Sequence, residues 1–307
     1  MAQLPLFLRR RPPPEAIRWV EGALGARVTS VRRLRGGTSA AMHLLSVDGA
    51  GERAVVLRRF VRRDLFEREP HLAAQEAQTL GILAEFDLPV PRLLAVDPLG
   101  TECDVSAVLM TRVPGRIDFA PRDLHAFLRA LAAPLPALHA LGPRDGMPLY
   151  YPYFTERGRF DEPPAWVRTP DLWRKAYRLV EEPWPDAAPT LIHRDYHPGN
   201  VLWQRGRLSG ITDWVNASVG PAGIDAAHCR VNLAALFGVD AAEEFRRAYE
   251  AEAGAEQHPF WDLLDALDTS GEPDVSQWHD AGRHDLTNDL LVARAEEYLK
   301  SVVRRLC

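Results

Sequence analysis

Lysine is almost missing from this chain of 307 residues: Lys175 and Lys300 are its only two, and arginine carries the rest of the positive charge. Any permanently charged cation that the first half of the sequence offers to an anion is therefore an arginine. An excess of positive charge is missing too. A net charge of −5 and a pI near 6.1 exclude a general nucleic-acid binder. Cysteine is scarce, and Cys103, Cys229 and Cys307 form an odd, widely spaced set with neither zinc-site spacing nor a disulfide framework. No run approaches the roughly 20 apolar residues of a membrane span. The first residues hold one short apolar patch, Leu4 to Leu8, with its arginines after it and not before, unlike a secretory signal. Internal repeats and low-complexity segments are absent as well. The expectation is a soluble, cytoplasmic, globular chain with no membrane and no nucleic-acid partner.

Hydrophobic residues make up 46% of the chain, enough for a core divided between two lobes. Pro12 to Gly25 has Pro and Glu at its front, helical apolar spacing and a closing glycine, so it reads as a short amphipathic helix. Three strand-like runs follow, Val28 to Leu34, Ala41 to Val47 and Ala54 to Phe60, separated by Gly36-Gly37-Thr38-Ser39 and Asp48-Gly49. Glu67 to Phe86 is helical in pattern; Pro89-Val90-Pro91 then breaks the chain before strands at Leu93 to Val96 and Ser106 to Val113. Pro114-Gly115 marks a linker. Beyond it helices dominate, at Arg122 to Leu141, Pro170 to Glu182, Gly223 to Phe237, Ala241 to Ala253 and Thr287 to Leu306.

The densest chemistry lies in LIHRDYHPGNVLWQRGRLSGITDW, Leu191 to Trp214. Asp195 and Asn200 stand five apart in a loop that Pro198 and Gly199 keep from becoming a helix, so a carboxylate and an amide oxygen can converge. Val201-Leu202-Trp203 and Ile211-Thr212 read as short strands around a turn at Arg205-Gly206, which returns the chain toward Asp213. Magnesium wants hard oxygen ligands and is usually held by one or two protein groups plus substrate phosphates, which Asn200 and Asp213 can supply. Asp195 is then left to receive a hydroxyl proton. A second reading stays open, in which His193, Asp195 and His197 are zinc ligands of a hydrolase. A third is a nucleotide-binding protein without catalysis.

His193-Arg194-Asp195, then Asn200, then Asp213 in Asp-Trp, resemble the catalytic and metal-binding loops of the aminoglycoside phosphotransferase family, small-molecule relatives of the protein kinases. The resemblance covers nearly the whole chain. It implies an α+β, bilobal protein-kinase-like fold, with an N-terminal five-stranded antiparallel sheet plus helix over residues 1–113 and a mainly helical catalytic and substrate-binding lobe over 114–307. It also implies ATP as co-substrate, with GTP open, Mg²⁺ as cofactor, and a small-molecule hydroxyl acceptor as partner. Asp195 becomes the catalytic residue, Asn200 and Asp213 the metal ligands, His193 a brace for the loop, and Asp225 a structural acid tying the following helix to it.

For the nucleotide, the resemblance points to the turn Gly36, Gly37, Thr38 and Ser39 over the phosphates, and to the backbone of Thr111, Arg112 and Val113 behind Met110 for adenine. Kinases place a lysine on the third strand; here Val55-Val56-Leu57-Arg58-Arg59 offers arginines on opposite faces, and alignment favours Arg58. Its forked guanidinium can bind phosphate and pair with a carboxylate, which the resemblance assigns to Glu76. Arg194 departs from the glycine that many small-molecule members carry. Eleven residues between Asp213 and Asp225 leave no room for a long activation loop, so a protein substrate is not expected. The acidic stretch Asp262 to Asp289 offers Asp262, Asp265 and Trp261 as acceptor-binding candidates for a cationic antibiotic, sugar or amino alcohol.

Overall fold

The computed structural model describes residues 8, 10–34, 40–49, 51–152, 162–268 and 271–307, with the side chains of Gln277 and Asp280 excepted. The turn Gly36 to Ser39 lies outside the described residues. The chain divides into two compact units, one of Met1–Gly115 with Ser209–Asn216, the other of Arg116–Leu208 with Ala217–Cys307.

In the first unit, helix α1 (Pro14–Leu24) begins with proline at its first turn and Glu15 near its N-terminus, where an acid meets the positive end of the helix dipole. Gly25 ends it in the left-handed conformation (φ 59°), donating its N–H to Glu21 O. Strands β1 (Arg27–Arg33), β2 (Ala41–Asp48) and β3 (Ala54–Arg59) form an antiparallel meander. Helices α2 (Arg63–Arg68) and α3 (Leu72–Leu83) precede β4 (Leu93–Asp97) and β5 (Ala107–Thr111), giving the sheet order β1-β2-β3-β5-β4. The buried face of α1, Ala16, Trp19 and Val20, packs on Leu45, Val47, Val55, Leu57 and Leu109. A fully buried side chain of this size contributes roughly 1.5–3 kcal/mol.

Period-two alternation decides where the arginines go. Val55, Leu57 and Arg59 share one face of β3, and Val56 and Arg58 take the other. Antiparallel pairing sets Met42 and Val108 beside Arg58, and Met110 beside Val56, on that second face. Because β3 is flanked by β2 and β5 it is an inner strand, and both arginines are buried, at 4% exposure each.

The expected helix Glu67 to Phe86 is in fact two. Pro70 has no N–H to donate and drives the residue before it out of helical geometry; Glu69 has φ −132° and ψ 67°. In the second unit Arg122 to Leu141 divides into α4 (Leu124–Ala132) and α5 (Leu135–His139); Ala133 keeps helical geometry, but Pro134 between them has no N–H to continue the ladder, and Pro136 lies in the first turn of α5. Asp123 caps α4, its carboxylate accepting the N–H of Ala126 at 2.9 Å.

Downstream come α6 (Pro170–Val180), β6 (Pro189–Ile192), β7 (Val201–Gln204) and β8 (Arg207–Ile211). After these lie β9 (Ser218–Pro221), α7 (Gly223–Phe237), α8 (Val239–Ala253), α9 (Pro259–Asp268), α10 (Ser276–Asp280) and α11 (Asn288–Leu306). The β7–β8 turn has positive φ at both Arg205 (52°) and Gly206 (75°), the signature of a tight hairpin turn whose twist matches the strands. β6 pairs antiparallel with β9, Ile192 opposite Ser218. That short pairing delivers His193 to Asp195 at one strand end and the start of α7 at the other. Neither of these strands, nor α9 and α10, was expected from periodicity.

Candidate functional site

In the first unit, Arg58 holds two carboxylates at once. Nη1 donates to Glu76 Oε1 on α3 at 2.5 Å, and Nη2 to Asp213 Oδ1 at 2.6 Å. Arg59 turns to Asp104 on the other face. Burial works against a charge on Arg58, but Asp213 and then Glu76 more than offset it and hold the guanidinium firmly protonated. Burial likewise pushes the Glu76 carboxyl up, against the pull of Arg58. Asp213 sits at φ 69°, a conformation that L-residues adopt at a cost of roughly 1–2 kcal/mol. Two contacts hold its segment in this unit, Ser209 Oγ donating to Pro114 O (2.6 Å) and Ile211 N to Pro89 O (2.7 Å), and within the segment Trp214 Nε1 donates to Ile211 O (3.0 Å). Gly210 is required there, since a Cβ would stand 2.2 Å from Val113 Cγ1.

Met110 and Thr111 end the inner strand β5, both buried. Thr111 already gives its N–H to Arg92 O at 2.9 Å and receives Arg92 N–H on Oγ1 at 2.9 Å. Its backbone donor is thus committed to Arg92, and the exposed Arg112 and half-buried Val113 follow it outside the strand.

In the second unit, the catalytic-loop candidates gather around Asp225, which is fully buried at the first turn of α7. Its Oδ2 accepts His193 N–H at 2.9 Å, its Oδ1 accepts Arg194 N–H at 2.7 Å, and His139 Nε2 lies 3.1 Å from Oδ2. This clamp holds Arg194 at φ 69°, the backbone state that glycine adopts without strain. The Arg194 guanidinium donates to Tyr151 O at 2.7 Å and lies over the Tyr151 ring, 4.6 Å from its centroid. His193 is buried and its Nδ1 accepts Asp195 N–H at 3.3 Å.

Both oxygens of Asp195 are engaged. Asn200 Nδ2 donates to Asp195 Oδ2 and to Asp195 O, each at 2.9 Å, while Oδ1 lies 3.1 Å from His228 Nε2 and 3.7 Å from His197 Nε2. Burial alone would push this carboxyl up. The hydrogen bond from His228 and the charges of His197, His228 and His193 outweigh it and hold Asp195 well below the usual carboxylate range. His228 was not anticipated: it comes from α7, far along the sequence from the loop. Its one sequence signal is that it stands three residues after Asp225, so α7 carries the two on neighbouring positions of the helix.

The zinc set of His193, Asp195 and His197 does not form. His193 Nδ1 is occupied by Asp195 N–H and His197 Nδ1 by Gly199 N–H at 3.2 Å. Among the described residues no group of three His, Cys, Asp or Glu is placed to hold a metal ion. Two of the acceptor candidates are corrected as well. Asp262 is fully buried, paired with Arg230 and, at 2.9 Å, with Arg305, so its charge is spent inside the unit. Trp261 is buried against Gly223, where a Cβ would meet its ring at 2.3 Å. Asp265 instead joins the cluster around Asp195 through His228 Nδ1 at 3.2 Å.

Oxygen donors suited to magnesium are present in each unit. Asp213 offers a carboxylate, and the commitment of Asn200 Nδ2 to Asp195 leaves the carboxamide oxygen as its metal-binding atom. The family model described as "Phosphotransferase enzyme family", APH, matches residues 30–292. The chain belongs to this family. It is a phosphotransferase with the α+β, kinase-like fold of that family, and solved structures agree. Macrolide 2'-phosphotransferase MphH from Brachybacterium faecium is 19% identical with a TM-score of 0.59, over 90% of this chain and 96% of that one. A thermostable mutant of aminoglycoside phosphotransferase APH(4)-Ia is 19% identical with a TM-score of 0.61, over 93% and 98%. APH(2")-IIa, in a ternary complex with streptomycin and ATP, is 14% identical with a TM-score of 0.59, over 84% and 89%. A search of curated protein sequences finds no match.

Proposed function

We propose that the chain is a cytoplasmic, magnesium-dependent kinase that moves the γ-phosphate of ATP to a hydroxyl of a small molecule. The observation that carries this reading is the Asp195–Asn200 pair, a half-buried, ionised carboxylate fixed on both oxygens beside an amide whose nitrogen is spent holding it. Residues 1–113 serve the nucleotide: Gly36 to Ser39 and Arg58 its phosphates, Arg112 and Val113 the adenine edge. Residues 114–307 serve the acceptor. Magnesium, held by Asn200 and Asp213, would neutralise charge on the phosphates.

In the transfer, the acceptor oxygen attacks the γ-phosphorus, the bond to the β-bridging oxygen breaks, ADP leaves, and the hydroxyl proton passes to Asp195. A carboxyl held this far down is a weak base at neutral pH. Asp195 therefore serves chiefly to orient the hydroxyl, which suits a loose transition state where positioning and electrostatics dominate. The antibiotics bound or modified by the structural neighbours, macrolides, hygromycin B and streptomycin, define the first acceptors to try. A nucleotide-binding protein without transfer is the alternative, and Arg58 holding Asp213 is the observation that favours it.

The test is consumption of ATP or GTP, with and without magnesium, across a panel of hydroxyl compounds including those antibiotics, sugars and amino alcohols. Asp195→Ala and Asp213→Ala should each lower turnover by about 100-fold or more. Wild-type rates in both variants would refute the kinase reading.

A further inference from the structure

In the second unit, His228 touches Asp195 and Asp265 lies behind His228. His228 presents one ring nitrogen to each of two carboxylates, Nε2 to Asp195 Oδ1 at 3.1 Å and Nδ1 to Asp265 Oδ1 at 3.2 Å. A neutral imidazole has one N–H and one lone pair, so it satisfies one of these oxygens and opposes the other. An imidazolium donates to both. Of the remaining polar neighbours, the His197 ring stands edge-on at 5.7 Å, and Asn232 Nδ2 donates to His228 O at 2.9 Å while also lying 3.3 Å from His228 Nε2, a nitrogen it shares with Asp195 Oδ1. Exposure decreases along the line, from 32% for the Asp195 side chain to 15% for His228 and 7% for Asp265, as in a row running inward from the reacting group.

Resting on the kinase reading above, we propose that His228, held as an imidazolium by Asp265, is a positioning residue that fixes the rotamer of Asp195 and aims its carboxylate at the acceptor hydroxyl. Burial opposes a charge on the His228 ring, but Asp265 and Asp195 outweigh burial and keep it protonated well above the ordinary histidine range. Asn200 restrains Oδ2 and His228 restrains Oδ1, so two donors from different elements define one orientation of the base. The buried Asp265 thereby has a function that its place in the acidic stretch does not suggest. It is the counter-charge of the dyad and not a lure for a cationic acceptor.

Two measurements test this. The first is ¹⁵N NMR of histidine-labelled full-length protein at pH 7, with the His228 signals identified by their loss in His228→Gln. Both ring nitrogens should be protonated, and a neutral ring would overturn the proposal whether or not turnover is seen. The second is turnover of magnesium–ATP with water as acceptor, read as phosphate release. His228→Ala should lower kcat on the order of 10-fold to 100-fold with the KM for ATP changed by less than about 2-fold, since the interaction acts on the transferring step. Added imidazole should restore part of the loss, and His228→Gln, which keeps one donor, should fall between. An unchanged kcat in His228→Ala, alongside a dead Asp195→Asn, overturns the positioning role and leaves the kinase reading standing. Full activity in Asp195→Asn overturns the kinase reading itself.

Discussion

Arg58 and Glu76 let stability and nucleotide binding be separated by mutation. Glu76→Ala deletes one of two carboxylates that compensate a guanidinium only 4% exposed. Breaking a buried pair from one side costs about 3–5 kcal/mol, because the surviving charge stays buried. The low end applies here, since Asp213 still accepts from Nη2 at 2.6 Å. At about 2–4 °C per kcal/mol for a chain of this size, the loss of about 3 kcal/mol lowers the melting temperature by about 6–12 °C. The double variant Arg58→Met, Glu76→Leu removes both buried charges and fills their space with apolar volume, so most of that stability should return, to within about 2 kcal/mol of wild type. Magnesium–ATP affinity should be lost in the double variant all the same, because the cation proposed to bind the phosphates is gone. Scanning calorimetry and titration calorimetry on the same samples give both numbers. Wild-type ATP affinity in the double variant, or a melting temperature in Glu76→Ala within 1–2 °C of wild type, would refute the reasoning.

His43, buried in β2, is held neutral by burial and by the charge of Arg59, with its pKa lowered to about 4. The folded state therefore resists a proton that the unfolded chain accepts, so its stability contribution is complete above pH 6.5 and is lost as pH falls from 6.5 toward 4. The lowering corresponds to about 3 kcal/mol; urea denaturation at pH 7 and pH 4.5 should show a smaller pH-dependent loss in His43→Leu than in wild type. At Arg194, with φ 69°, Arg194→Gly and Arg194→Ala both lose the contacts to Tyr151, but glycine alone is relieved of strain. The alanine variant should be about 1 kcal/mol less stable than the glycine variant, and equal stabilities would show that the positive φ carries no cost.

The sequence made legible what short-range chemistry encodes. Asp195 and Asn200 are neighbours in space because five residues and a Pro-Gly turn leave them little choice, and strand alternation alone separates Arg58 from Arg59. Long-range pairings were another matter. Nothing local distinguishes Asp262, whose partners Arg230 and Arg305 come from α7 and α11, from a solvated acid in an acidic run. His228 is hidden in the same way, on a helix whose buried residues are mostly apolar but include Asp225 and Arg230. The helix breaks at Pro70 and Pro134 were overridden by strong apolar periodicity on either side, although proline chemistry was sufficient to place both. β6 and β9, four residues each, are too short for a period to declare itself, and they stand as strands because they pair with each other.

Replacing the third-strand lysine by arginine is more than a change of cation. An ammonium on a flexible stem presents its three donors from one atom, whereas the planar fork of Arg58 spans Glu76 and Asp213 through separate nitrogens. Its remaining side-chain donor, Nε, faces Met42 Sδ at 3.3 Å, a weak acceptor that costs little to abandon. A triphosphate approaching this face must compete with Asp213 for Nη2 while Glu76 keeps its hold on Nη1. Magnesium on Asp213 would help the exchange, because the ion replaces the guanidinium as the countercharge of that carboxylate. Nucleotide affinity should therefore depend on magnesium more steeply in wild type than in Arg58→Lys, where one nitrogen replaces the two that reach Glu76 and Asp213 and the grip on Asp213 is weaker. The comparison of ATP affinity with and without the ion in these two proteins reads that coupling directly, and equal magnesium dependence in both would show that Arg58 and the ion act on the nucleotide independently.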